Sequence, residues 1–91
     1  MQPIDFTNSN YGKLAIIKSK WHDSYLEVLK SQKISELELN TSKGWEGDSL
    51  SFLKFFTELK SLTIIDADIK SVKEIHLLSE LKNLNVLTYC N

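Results

Sequence analysis

The chain has no arginine, one cysteine, one proline and three glycines among its 91 residues. Each scarcity removes a class. Specific base readout leans on bidentate Arg and phosphate binding needs a basic stripe, so a nucleic-acid partner is not expected. The eleven basic residues are all Lys, the net charge is -1, and no like-charge block interrupts the alternation of Lys with Asp and Glu. That pattern reads as a solvated surface and not as a polybasic membrane patch. A lone Cys90 forms no internal disulfide, which fits a reducing, cytoplasmic compartment. Residues 1–10 have no basic start and no apolar stretch of a signal peptide, and no run approaches the length of a membrane-spanning helix. With so few Pro and Gly, collagenous and low-complexity readings fall away.

What remains is ordinary globular composition, 42% apolar and 25% charged, in a chain long enough for a single small domain spanning 1–91. Its informative feature is an internal repeat. The pattern L-x-x-L-x-L-x-x-N-x-L, with Ile, Val or an aromatic allowed at apolar positions, falls four times. It starts at Tyr11 with Leu14 and Ile16, at Ile34 with Leu37 and Leu39, at Leu59 with Leu62 and Ile64, and at Leu81 with Leu84 and Val86. The starts lie about 23, 25 and 22 residues apart. Leu, Ile and Val form about a quarter of the chain, so one such match arises by chance, whereas several at near-constant spacing are rarer by a factor on the order of a hundred.

Each match centres on a short alternating strand, and each interval between matches carries a helix signal. Ser24-Tyr25-Leu26-Glu27 and Ser71-Val72-Lys73-Glu74 have the form of capping boxes. Between them a helix is predicted from Asp48 or Ser49, and its Leu50, Leu53, Phe56 and Leu59 align without a gap on Val72, Ile75, Leu78 and Leu81. Four strands alternating with three helices predict an α/β fold in which parallel strands form one face and helices cover the other. The expected units are 11–33, 34–58 and 59–80, with 1–10 an N-terminal segment able to cap the front and 81–91 a terminal strand. A unit of this kind buries its apolar stripe only when a neighbour stacks on it, which describes a solenoid.

The run Leu59-Lys60-Ser61-Leu62-Thr63-Ile64-Ile65-Asp66-Ala67-Asp68-Ile69 resembles the short class of leucine-rich repeat. The resemblance covers 34–91 well and 11–33 weakly. It implies a short leucine-rich-repeat solenoid and a role in protein recognition. The inward Asn of that family is replaced here by Ser42, Ala67 and Tyr89 or Cys90, so its polar ladder is missing.

Residue types that carry catalysis are present but do not converge. His22-Asp23-Ser24 has the members of a hydrolytic triad, yet adjacent residues at a helix start cannot act as base, orienter and nucleophile together, and Asp23 or Ser24 reads as a cap. His76 has no second ligand at metal spacing. Gly44-Trp45-Glu46-Gly47 lacks the Lys-Ser/Thr ending of a phosphate loop. Asp66 and Asp68 read as solvated turn acids. No catalytic residue, metal or cofactor is expected.

The expected partner surface is the open sheet face. Its outward residues include Lys13, Ala15, Ile17 and Lys18, then Glu36, Glu38 and Asn40, then Ser61, Thr63, Ile65 and Asp66, and finally Asn83, Asn85 and Leu87. Ile17, Asn40, Ile65 and Leu87 would form one column, apolar at three of four places, which a solvated face does not require. Trp45 is either a core-closing aromatic like Trp21 or, with Glu46 and Asp48, a rim on a projecting insertion. The candidate contact set is therefore Ile17, Glu38, Asn40, Thr63, Ile65, Asn85, Leu87 and Trp45.

Two narrower functions stay open: a bacterial immunity-type protein masking a toxin, and a regulatory domain resembling the anti-sigma-antagonist type, phosphorylated at a serine such as Ser71. The even repeat period speaks against the second. Finally, the last strand has no following element to cover it. Either the chain is the front of a longer array, or a second copy pairs with that edge.

Overall fold

The computed structural model describes residues 3–47, 50–66 and 73–87. Five strands, β1 (Ile4–Ser9), β2 (Gly12–Ile17), β3 (Glu36–Asn40), β4 (Ser61–Ile65) and β5 (Asn83–Leu87), form one sheet in the order β1-β2-β3-β4-β5. β1 and β2 make an antiparallel hairpin, and β2 through β5 run parallel. The result is a small α/β domain with a mostly parallel sheet and little helix. The four strands of the repeat pattern are β2 to β5. The N-terminal segment contributes β1, which occupies the front edge of the sheet.

Among the described residues, one of the three expected helices is α-helical: α1, Tyr25–Ser31. The second and third intervals hold 3₁₀ segments, Ser51–Phe55 and Lys73–Leu77. The reason lies in the spacing. Leu50, Leu53, Phe56 and Leu59 recur every third residue, which is the period of a 3₁₀ turn and drifts around an α-helix. Accordingly Leu53 N–H donates to the Leu50 carbonyl, Phe56 to Leu53 and Leu59 to Phe56. The same steps recur from Leu78 to Ile75 and from Leu81 to Leu78.

The capping box at Ser24 does not form. Ser24 already has helical φ and ψ of -61° and -19°, and its side chain makes no cap bond. The first turn closes instead through Tyr25 N–H to His22 O and Leu26 N–H to Asp23 O. Ser71 and Val72 of the second box lie outside the described residues.

Side chains facing α1 and the 3₁₀ segments build one apolar core. Its strand members are Ile4, Ala15, Ile17, Leu37, Leu39, Leu62 and Ile64, and its other members include Leu29, Trp45, Phe52, Leu53, Phe56 and Leu59. In register, Ile17 stands beside Leu39, Leu39 beside Ile64 and Ile64 beside Val86, steps of 22, 25 and 22 residues. This corrects the expected frame of β2 by one residue. Ile17 is 0% exposed and Ala15 is buried with it, while Leu14 and Ile16 turn to the other face. Because side chains alternate, a one-residue shift exchanges the faces of the whole strand. β1 fixes the choice, since its Ile4 and Phe6 pair with Ile17 and Ala15 and share their face.

Both ends of the parallel strands are held by neighbour-to-neighbour bonds. Before the strands, Ser35 N–H donates to Lys13 O, Lys60 N–H to Ser35 O and Lys82 N–H to Lys60 O. After them, the chain turns at Gly44, whose φ of +110° is left-handed; a Cβ there would stand 2.3 Å from the Lys18 carbonyl oxygen. Only glycine fits that approach.

Candidate functional site

The face of the sheet opposite the core is partly exposed among the described residues, with Ser61 and Asn40 buried on it. By register it carries three rows: Leu14, Glu36, Ser61 and Asn83; then Asp5, Ile16, Glu38, Thr63 and Asn85; then Asn40, Ile65 and Leu87. Thr63 and Ile65 are half-buried, Asn85 is exposed, and Leu87 is 56% exposed. These four expected contact residues lie together on β4 and β5.

Glu38 and Asn40 share the face but are already engaged. Lys43 Nζ lies 2.7 Å from Glu38 Oε2 as an ion pair, and Asn40 Nδ2 donates to the same oxygen at 3.3 Å. Asn40 Oδ1 accepts from Ser42 N–H at 3.0 Å and Ser42 Oγ at 2.7 Å. Asn40 thus caps the short 3₁₀ turn Thr41–Lys43 and is itself buried. Ser42, expected inward, is exposed and serves as the donor in this cap. At the front of the face Lys18 Nζ pairs with Asp5 Oδ2 at 2.8 Å.

Two expected contact residues are elsewhere. Ile17 is in the core, for the register reason above, and the residues that replace it on the face are Leu14 and Ile16, both half-buried. Trp45 is 1% exposed. The insertion that carries it folds inward: Trp45 N–H donates to Asn40 O, its ring meets Phe52 edge-on at 6.0 Å, and Phe52 in turn stacks on Trp21 at 4.0 Å. Its indole Nε1–H donates to Asp66 Oδ2 at 3.1 Å. Asp66 is therefore no solvated turn acid and no outward residue of β4; it is 4% exposed, a carboxylate satisfied inside the fold. Burial of an acid needs such a donor.

Catalytic groups stay apart. His22 is exposed with its ring edge-on to Tyr25 at 5.4 Å, and Asp23 accepts from Trp21 Nε1 at 3.1 Å. His76 is exposed and its Nδ1 contacts the Lys73 carbonyl. A cleft of about 760 Å³ opens between α1 and the Ser51–Phe55 segment, but Lys60 and Glu80 in its lining pair at 2.7 Å, Lys30 sits over the Phe55 ring, and the lining includes no histidine. Among the described residues no three His, Cys, Asp or Glu side chains are grouped to hold a metal, and no helix is long and apolar enough to cross a membrane.

Comparison with protein-family models, curated proteins and solved structures finds no match. The partly exposed face itself is the best-defined candidate. Its apolar residues Leu14, Ile16, Ile65 and Leu87 stand among Thr63, Asn85 and the two ion pairs, a mixed surface of the composition that protein interfaces use. Leu14 and Ile16 could have been found from sequence through the alternating Ile4 and Phe6, which need a partner strand whose Ala15 and Ile17 face the same way.

Proposed function

We propose that the chain is a small leucine-rich-repeat-like solenoid that works as a non-catalytic protein-interaction module, holding a protein partner on the open face of its sheet. The observation that carries this reading is the partly exposed face of β2 to β5, with Ile16, Thr63, Ile65, Asn85 and Leu87 left free of the core. The solenoid reading draws on the near-constant step between register partners and on the recurrence of the same three-residue turns between strands. Repeat stacking leaves a broad sheet surface as its recognition platform. The single cysteine fits work in a reducing, cytoplasmic setting.

The test is site-directed photo-crosslinking in the source cells. A photoreactive residue at Asn85, on the open face, should trap a protein partner, whereas the same residue at Val28, exposed on α1, should not. Trapping from Val28 with none from Asn85 would place recognition on the helical side and overturn the reading.

A further inference from the structure

Among the described residues, the charged side chains of the open face are paired except for one. Asp5 is held by Lys18 at 2.8 Å and Glu38 by Lys43 at 2.7 Å. Glu36 shares the face, set by register between Leu14 of β2 and Ser61 of β4. It is half-buried, and no described residue forms an ion pair or hydrogen bond with its carboxylate. The lysines that adjoin its two neighbours are committed elsewhere. Lys13 Nζ donates to Gln32 Oε1 at 2.8 Å, and Lys60 Nζ pairs with Glu80 at 2.7 Å. Across β4 and β5 the face carries no charge at all, only Ser, Thr, Asn and the apolar Ile65 and Leu87.

We infer that the partner segment held on this face is basic: it places a Lys or Arg side chain on Glu36 and an apolar side chain against Ile65 and Leu87. The inference rests on the reading of the open face as the partner-binding surface. Its argument is desolvation. Water still reaches the exposed part of the Glu36 carboxylate, and a docked surface removes that water. A buried carboxylate is tolerated when a cation pairs with it and is costly when nothing does. An acidic or wholly apolar segment therefore leaves the charge uncompensated and is rejected, whereas an ammonium or guanidinium compensates it. Asp5 and Glu38 impose no such demand, because their own lysines neutralise them. The aliphatic stem of a Lys or Arg also suits Leu14 and Ile16 beside Glu36. Glu36 and Leu87 stand two strands and four residues apart, about 16 Å at roughly 4.8 Å per strand and 3.3 Å per residue. A segment of about twelve residues spans that distance whether extended or helical.

The probe is a displayed library of random peptides of about that length, selected separately on the wild-type chain, Glu36→Gln and Glu36→Lys, each checked for native melting. Peptides retained by the wild-type chain should be enriched in Lys and Arg and should bind Glu36→Gln about tenfold more weakly. Their affinity should fall as salt rises from about 0.05 to 0.5 M, and Leu87→Glu should weaken them too. Glu36→Lys should retain acidic peptides instead. Peptides without basic enrichment, or with affinity unchanged by Glu36→Gln, would overturn the inference, as would a wild-type chain that retains no peptide. The photo-crosslink at Asn85 judges the face separately. A protein trapped there alongside any of these negative results leaves the face standing and removes only the basic partner. No protein trapped there, with peptide binding unchanged by Leu87→Glu, removes both.

Discussion

Replacing Ile17 and Ile16 one at a time by Ala separates the two possible frames of β2. Ile17 is fully enclosed between Ile4 and Leu39, whereas Ile16 lies half-buried on the open face between Asp5 and Glu38. Ile→Ala deletes three carbons, worth about 0.8 kcal/mol each when buried, and the cavity left behind brings the cost for Ile17 to roughly 3 kcal/mol. For Ile16 the loss is that of a partly exposed strand residue, about 0.5–1 kcal/mol. A domain of this length holds on the order of 5–14 kcal/mol in total, so the first change removes a large share of it. Urea titration followed by tryptophan fluorescence gives both values, and thermal melting should drop by about 12–24 °C for Ile17→Ala and by well under 10 °C for Ile16→Ala. Equal losses, or the larger loss at Ile16, would refute the register and with it the assignment of the open face.

Three further outcomes follow from other contacts. Gly44→Ala should destabilise by about 2 kcal/mol or more, because the new Cβ meets the Lys18 carbonyl and φ is left-handed; Gly12→Ala, whose new Cβ meets the rotatable Ser35 hydroxyl, should cost less in the same urea assay. Trp45→Phe removes the indole donor to buried Asp66 along with core volume, and should cost about 2–4 kcal/mol, whereas Asp66→Asn, which keeps an acceptor, should cost less in the same urea titrations. The Glu80 carboxyl is held below its ordinary value by the hydrogen bond from Lys60, then by the Lys60 charge and, more weakly, that of Lys82, against a small opposing effect of burial. A depressed carboxyl contributes its stabilisation above the unfolded-state value and loses it as pH falls through the folded one. The Glu80 carboxyl carbon shift should therefore titrate below the ordinary glutamate range, and Lys60→Gln should raise its midpoint.

The parallel core was legible in the sequence where alternation had one frame. Leu37-Glu38-Leu39, Leu62-Thr63-Ile64 and Leu84-Asn85-Val86 place their apolar residues on one face only, and the structure pairs them in that frame. Leu14-Ala15-Ile16-Ile17 is apolar in both frames, so the choice passed to β1, a strand with no strong turn signal before Gly12. The intervals were legible as apolar stripes, but their strict three-residue period belongs to 3₁₀ turns. Asp66 was misplaced for another reason: its bond to Trp45 joins residues far apart in the chain, and local pattern carries no trace of it, whereas the core position of Trp45 was one of the two readings the sequence offered. The polar and apolar residues of β4 and β5 on the open face, Thr63, Ile65, Asn85 and Leu87, were read correctly as outward because their strands were in the right register.

The most direct test of the central claim is quantitative binding of the partner trapped through Asn85 to the wild-type chain and to Ile65→Glu with Leu87→Glu. Surface substitutions of this kind leave stability within about 1 kcal/mol, and melting of the double variant in parallel checks that they do. The account predicts at least a tenfold loss of affinity with the fold intact, about 1.4 kcal/mol or more of binding free energy. Undiminished affinity of the folded double variant would contradict it.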